Sequence, residues 1–136
     1  LTKVADTKTN CGINYAILDG GLNQLKYDGQ IQGMQIPQII HFGEGLDNTQ
    51  EWTLCGSLCT TADVLARKVP LNDLKIGDLL VFCRTGAYSV TEGMALFLSR
   101  EIPAVALRRK NGSIEVLRNK MNADPFNTAN TINGRI

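Results

Sequence analysis

The four cysteines, Cys11, Cys55, Cys59 and Cys83, are the side chains here with the widest chemical range. A thiol can ligate a metal, close a disulfide, hand over a proton near neutrality or fill space in a core. Cys55 and Cys59 are four residues apart, but no second Cys or His pair follows and His41 is the sole histidine. Zinc spacing is therefore missing and no metal site is expected. A disulfide framework is equally poorly supported, because a chain of 136 residues with a normal apolar share can build a core without covalent staples. The thiols are expected to be reduced and mostly buried. His41 matches no catalytic pattern and receives no role. Gly20-Gly21 is a turn, too short for a phosphate-cradling loop.

The elements that must hold these groups are short strands between turns. Tyr15-Ala16-Ile17-Leu18 is an apolar run stopped by Asp19-Gly20-Gly21. Ile31 to Ile40 mixes Gln with Ile and Met, breaks at Pro37 and reads as an irregular strand pair. Glu44 to Gln50 reads as a polar loop. Trp52-Thr53-Leu54-Cys55 has β-favouring composition, and the continuous apolar run Leu79-Leu80-Val81-Phe82 reads as a buried strand. Val105–Leu107 and Ile114–Leu117 flank Lys110-Asn111-Gly112-Ser113, where Asn-Gly signals a hairpin. One helix is expected over Ser89–Leu98, where Val90, Met94 and Phe97 recur at helical spacing. From Asn119 onward the chain is rich in Asn and Thr and is expected to be an extended or partly ordered tail.

Many short strands with little helix indicate an all-β sandwich or barrel. The apolar share of 43% argues against a disordered chain. A net charge of +1 gives no reason to expect nucleic acid as a partner. No apolar run approaches the roughly 18–20 residues that cross a bilayer, so no membrane association is expected. The start, Leu1-Thr2-Lys3-Val4, has neither an initiator Met nor a signal peptide and reads as the cut end of a longer cytoplasmic protein.

Three segments in register resemble one family. Leu18-Asp19-Gly20-Gly21-Leu22-Asn23 is similar to a "DxGxN" turn after a strand. Gly56-Ser57-Leu58-Cys59-Thr60-Thr61-Ala62-Asp63 is similar to a "GPxCxxxD" loop. Gly77-Asp78-Leu79-Leu80-Val81-Phe82, then Gly86-Ala87-Tyr88 and Phe97, is similar to "GDxLxF…GAY…F". Together they resemble the fold-type III pyridoxal-phosphate decarboxylases, which act on amino acids such as diaminopimelate and ornithine. The resemblance covers residues 14 to 110 and only the C-terminal β-domain of that family. It implies a Greek-key-like β-barrel or sandwich with one short helix. The expected organisation is a β-domain over residues 1–118 and a tail over 119–136, with the family's N-terminal α/β barrel absent from this chain.

In that family pyridoxal phosphate serves as the electron sink when carbon dioxide leaves. The carbon that lost it must then be protonated by a positioned acid, and a thiol with a reference pKa of about 8.5 is protonated yet able to donate near neutrality. The resemblance makes Cys59 that acid, delivered from one subunit of a homodimer into the active site of the other. It makes Tyr88 the donor to the cofactor phosphate, lying beside the amino-acid substrate; a phenol does this without adding a fixed charge. Asp63 closes the Cys loop, either by tying down its backbone or by touching substrate. Cys11, Cys55 and Cys83 match no functional position.

The departures bear on the substrate. Diaminopimelate decarboxylases carry Glu after the Cys to bind a distal ammonium, and ornithine-type enzymes carry Asp; Thr60 stands there in this chain. The family Arg that grips a distal carboxylate is missing from Gln24-Leu25-Lys26-Tyr27-Asp28-Gly29, where Lys26 offers only a point charge. A related amino acid whose far end is neutral or attached to a carrier fits better. The Schiff-base Lys, the ring-stacking His and the phosphate loop belong to the family's barrel, so the isolated chain is expected to be inactive. Two alternatives are a fold-type III racemase, whose Tyr-base motif is not evident here, and a non-catalytic regulatory homologue, which retention of Cys59 and Tyr88 argues against.

Overall fold

The computed structural model describes residues 1–26, 38–43, 47–85 and 87–129. They fall into two compact units, residues 1–93 and 94–136. Among the described residues the architecture is mostly strand with one short α-helix, the all-β class expected, although the helix lies at Asp124–Asn127.

The first unit is a six-stranded, nearly closed, barrel-like sheet. Its strands are β1 (Thr2–Asn10), β2 (Ile13–Leu18), β3 (Ile39–Phe42), β4 (Thr49–Cys55), β5 (Val64–Asn72) and β6 (Leu79–Phe82), in the order β3-β6-β1-β2-β4-β5. Neighbours are antiparallel except β2 and β4, which run parallel with Ala16 opposite Leu54. β1 and β2 form a tight hairpin at Cys11-Gly12, both with positive φ (50° and 75°). A turn with two left-handed residues matches the strand twist, and Gly12 takes the second position without a Cβ penalty.

The core gathers one face of each central strand: Val4, Ala16, Leu18, Trp52, Leu54, Leu65, Ala66, Leu80 and Phe82 among others. Leu80 and Phe82 point inward while Leu79 is exposed and Val81 half-buried, so the run read as a wholly buried strand buries one face only. β5 contains Pro70, whose missing N–H costs no ladder bond because β5 is the sheet's edge. The end of β3 is pinned by a buried pair. His41 Nε2 lies 2.8 Å from Asp78 Oδ2, and the same oxygen accepts the Lys75 N–H at 2.9 Å.

The second unit contains the antiparallel hairpin β7 (Val105–Arg108) and β8 (Ile114–Arg118), turning at the predicted Asn-Gly, and an isolated bridge between Ile102 and Met121. Its one-turn helix α1, Asp124–Asn127, opens with Pro125 inside the stretch read as an extended tail. Residues 31–37, read as part of a strand pair, and 44–46, read as loop, lie outside the described residues.

The helix expected over Ser89–Leu98 does not form. The segment holds two separate 3₁₀ turns, Ala87–Val90 and Phe97–Ser99. Gly93 interrupts it, at a cost of about 1 kcal/mol relative to Ala in a helix interior. Leu98 (φ 59°) and Ser99 (φ 50°) are left-handed, and Met94, Phe97 and Leu98 are all exposed, so burial at these three positions does not reward helix formation.

Candidate functional site

The loop Gly56–Asp63 joins β4 to β5, so its two ends are fixed by paired strands, and the Gly56 N–H donates to the Asp63 carbonyl at 2.8 Å. Inside it, the Thr60 N–H donates to the Leu58 carbonyl (2.8 Å) and the Ala62 N–H to the Thr60 hydroxyl (3.2 Å). Leu58 is buried, Cys59 is exposed and Thr60 is half-buried. One apolar anchor inward thus turns the next side chain out.

Asp63 holds this loop to its neighbour. It is 2% exposed; Oδ2 accepts the Leu58 N–H and Oδ1 accepts the Leu22 N–H, each at 2.8 Å. Gly21 and Gly56 let the carboxylate in. A Cβ on Gly21 would come within 2.3 Å of its oxygens, and one on Gly56 within 2.1 Å. The two glycines are needed for close approach, and no turn with positive φ is involved at either.

The turn after β2 is the common anchor. Asp19 Oδ1 accepts the Thr2 hydroxyl (2.6 Å) and the Lys3 N–H (2.8 Å), fastening the turn to the start of β1. The Ser57 hydroxyl donates to the Asp19 carbonyl (3.3 Å). At the far end of the turn the Ser89 hydroxyl donates to the Thr85 carbonyl (2.9 Å) and accepts the Lys26 N–H (3.3 Å). Ser89 follows Tyr88 in the Ala87–Val90 turn, so residues 19–26 hold both the Cys loop and the Tyr88 turn. Tyr88 is 68% exposed. Cys59, Thr60 and Asp63 share one loop, and Tyr88 stands on another.

Sequence reading missed Ser89 and the His41–Asp78 pair. A serine in a presumed helix and a histidine without a motif carry no local signal. All four thiols are free, and none is fully buried: Cys11 and Cys59 are exposed, Cys55 and Cys83 half-buried. This corrects the expectation of mostly buried thiols, because Cys11 sits at a hairpin tip and Cys59 at a loop crest. Burial pushes the Cys55 thiol above its usual pKa, against a smaller opposing pull from Arg67. Cys59 should therefore react with iodoacetamide at pH 8 faster than Cys55, by roughly tenfold, because it is exposed while burial both shields Cys55 and holds back its thiolate. Peptide mapping of a labelling time course reads this, and equal rates would contradict the loop geometry. Among the described residues no three His, Cys, Asp or Glu side chains cluster to hold a metal, and no helix is long and apolar enough to cross a membrane.

Residues 1–86 match the family described as "Pyridoxal-dependent decarboxylase, C-terminal sheet domain". The chain is 30% identical over 130 residues to an L-glutamyl-[BtrI acyl-carrier protein] decarboxylase of Niallia circulans, covering 91% of this chain and 30% of that protein. It is 34% identical over 110 residues to a 2-[(L-alanin-3-ylcarbamoyl)methyl]-2-hydroxybutanedioate decarboxylase of Staphylococcus aureus, covering 76% of this chain and 28% of that one. A diaminopimelate decarboxylase of M. jannaschii, solved with L-lysine, superposes with a TM-score of 0.77 at 22% identity, over 90% of this chain and 27% of the other. The chain thus spans under a third of the length of these proteins.

Proposed function

The chain belongs to the C-terminal sheet-domain family of the pyridoxal-dependent decarboxylases, and from that premise we propose that it completes the active site of a dimeric amino-acid decarboxylase by supplying Cys59 as proton donor. The single observation behind this reading is the build of the Gly56–Asp63 loop. Buried Leu58 and buried Asp63 flank an exposed Cys59, so a rigid frame presents one thiol to whatever lies opposite.

Tyr88 fits a cofactor phosphate in one respect. Its exposed phenol is a neutral donor, and among the described residues no hydrogen bond occupies its hydroxyl. Pyridoxal phosphate, when bound, supplies the electron sink for loss of carbon dioxide. This chain's residues do the rest of what is assigned here. Cys59 Sγ–H delivers the proton, Tyr88 orients the phosphate, and Asp63 is a positioning residue whose oxygens are both taken by backbone N–H groups.

Thr60 bears on the substrate. It replaces the carboxylate that would hold a distal ammonium, so the substrate's far end is neutral or joined to a larger group. Two relatives at 30% identity or more act on such molecules: one on L-glutamyl linked to an acyl-carrier protein, the other on a carbamoyl-linked alanine. We assign a carrier-linked amino acid as the substrate class.

The test is steady-state decarboxylation by the full-length, cofactor-loaded enzyme. Glutamate linked to a carrier protein should be turned over in preference to diaminopimelate. Thr60→Glu should move kcat/KM toward substrates with a distal amine by roughly 10- to 100-fold, the worth of one charge-assisted hydrogen bond. An unchanged ratio of aminated to neutral substrates would remove Thr60 from the pocket.

A further inference from the structure

Charge is divided unevenly along the chain. Residues 1–93 carry seven Lys and Arg against ten Asp and Glu, whereas residues 94–136 carry seven against three. Part of that basic excess has a defined place on the β7–β8 hairpin. Across its ladder Arg108 lies opposite Ile114, and Ala106 opposite Val116. Opposed residues share a face of the sheet, so these four side chains form one surface. It is open: Ile114 is 71% exposed and Val116 57%. Lys110 stands at the turn, and residues Leu107 to Asn111 line a shallow concavity. The hairpin's one carboxylate, Glu115, is taken by Arg109 on the other face. No carboxylate among the described residues pairs with Arg108 or Lys110.

An exposed apolar patch edged by unpaired cations suits a protein partner with an acidic, amphipathic surface. We propose that the Ala106/Arg108/Ile114/Val116 face, with Lys110 at its rim, docks an acidic acyl-carrier protein that delivers the substrate. This rests on the carrier-linked reading of the substrate given above. Carrier proteins are acidic, which makes them complementary in charge to this unit. The match to the carrier-protein decarboxylase covers 91% of the chain and so necessarily includes the hairpin, whereas the family match ends at residue 86. The docking face therefore lies outside the sheet that the family match describes.

The experiment compares two substrates of the full-length, cofactor-loaded enzyme: an L-glutamyl group on a carrier protein and the same group on pantetheine. Arg108→Glu with Lys110→Glu should raise KM for the carrier-linked substrate about tenfold, because both charges are reversed at an exposed rim, and leave kcat and the pantetheine KM unchanged. Added salt should raise the wild-type KM for the carrier-linked substrate alone. Arg108→Lys with Lys110→Arg should behave as wild type. Should the double reversal fail to fold, Lys110→Glu alone, at the hairpin turn, should still raise that KM about threefold. An unchanged carrier KM in a folded variant overturns the docking face and leaves the substrate reading standing. Turnover of neither glutamyl substrate by the wild-type enzyme overturns both. Tight wild-type binding to a random DNA duplex, lost in the double reversal, would overturn the proposal in favour of nucleic acid.

Discussion

Cys59→Ala in the full-length enzyme should slow turnover by about 10²–10⁴-fold while cofactor content stays at the wild-type level, the loss usual for a general acid. The thiol sits at the crest of a loop whose backbone is held by Leu58 and Asp63, so removing Sγ breaks none of the hydrogen bonds that hold this frame. Folding should be unaffected, and rate alone should fall. Cys59→Ser keeps a hydroxyl in place but raises the donor's pKa far above neutrality, so it should recover little. A second experiment asks which chain the thiol serves. Dead Cys59→Ala dimers are mixed with dimers lacking the enzyme's cofactor-binding lysine. If each site takes its lysine from one chain and its thiol from the other, random exchange at equal mixing restores one good site in each heterodimer. About a quarter of wild-type activity should then return. Demonstrated exchange without recovery would mean that Cys59 serves its own chain or takes no part.

Asp63→Ala should destabilise the protein by about 2–4 kcal/mol, because the N–H groups of Leu22 and Leu58 are left without acceptors in a buried setting. For a unit of this size that is a fall in melting temperature on the order of 10 °C. Asp63→Asn retains an acceptor oxygen for one N–H but puts an amide NH₂ against the other, so it should fall between wild type and Ala. Gly56→Ala should lower stability too, since its Cβ would meet the carboxylate at 2.1 Å. In each case kcat should fall with stability as the Cys59 loop loosens. Thermal denaturation read alongside kinetics separates the two roles open to Asp63. A substrate contact would raise KM with the melting temperature unchanged, and that outcome would end the positioning role.

Where a signal is local, the chain could be read directly. Tyr15–Leu18, Trp52–Cys55, Leu79–Phe82 and the Asn-Gly hairpin announce themselves through β-favouring apolar residues bounded by turns, and all four lie in strands. The family resemblance, too, is carried by short contiguous motifs, and residues 1–86 belong to that family. β1 and β5 had no such signal. β1 buries only Thr2 and Val4, with Thr7 half-buried and the rest exposed, so its composition is polar. β5 carries Arg67-Lys68 and Pro70, which look like a break until its position at the sheet edge makes the missing donor harmless. The Ser89–Leu98 spacing is helical in pattern, but Met94 and Phe97 stay exposed, and periodicity without burial does not offset the cost of nucleation.

The candidate site divides the same way. Cys59, Thr60, Asp63 and Tyr88 were nominated by the family resemblance, which short contiguous motifs carry. What Asp63 holds at Leu22, why Gly21 carries no side chain, and how Ser89 ties the Tyr88 turn to Lys26 depended on segments 41 to 63 residues apart meeting in space. Hydrogen bonds are satisfied by whatever donor the fold brings within about 3 Å. Nothing in the linear order of the chain marks which distant N–H that will be, so the partners of a buried carboxylate are decided only when the strands close on one another.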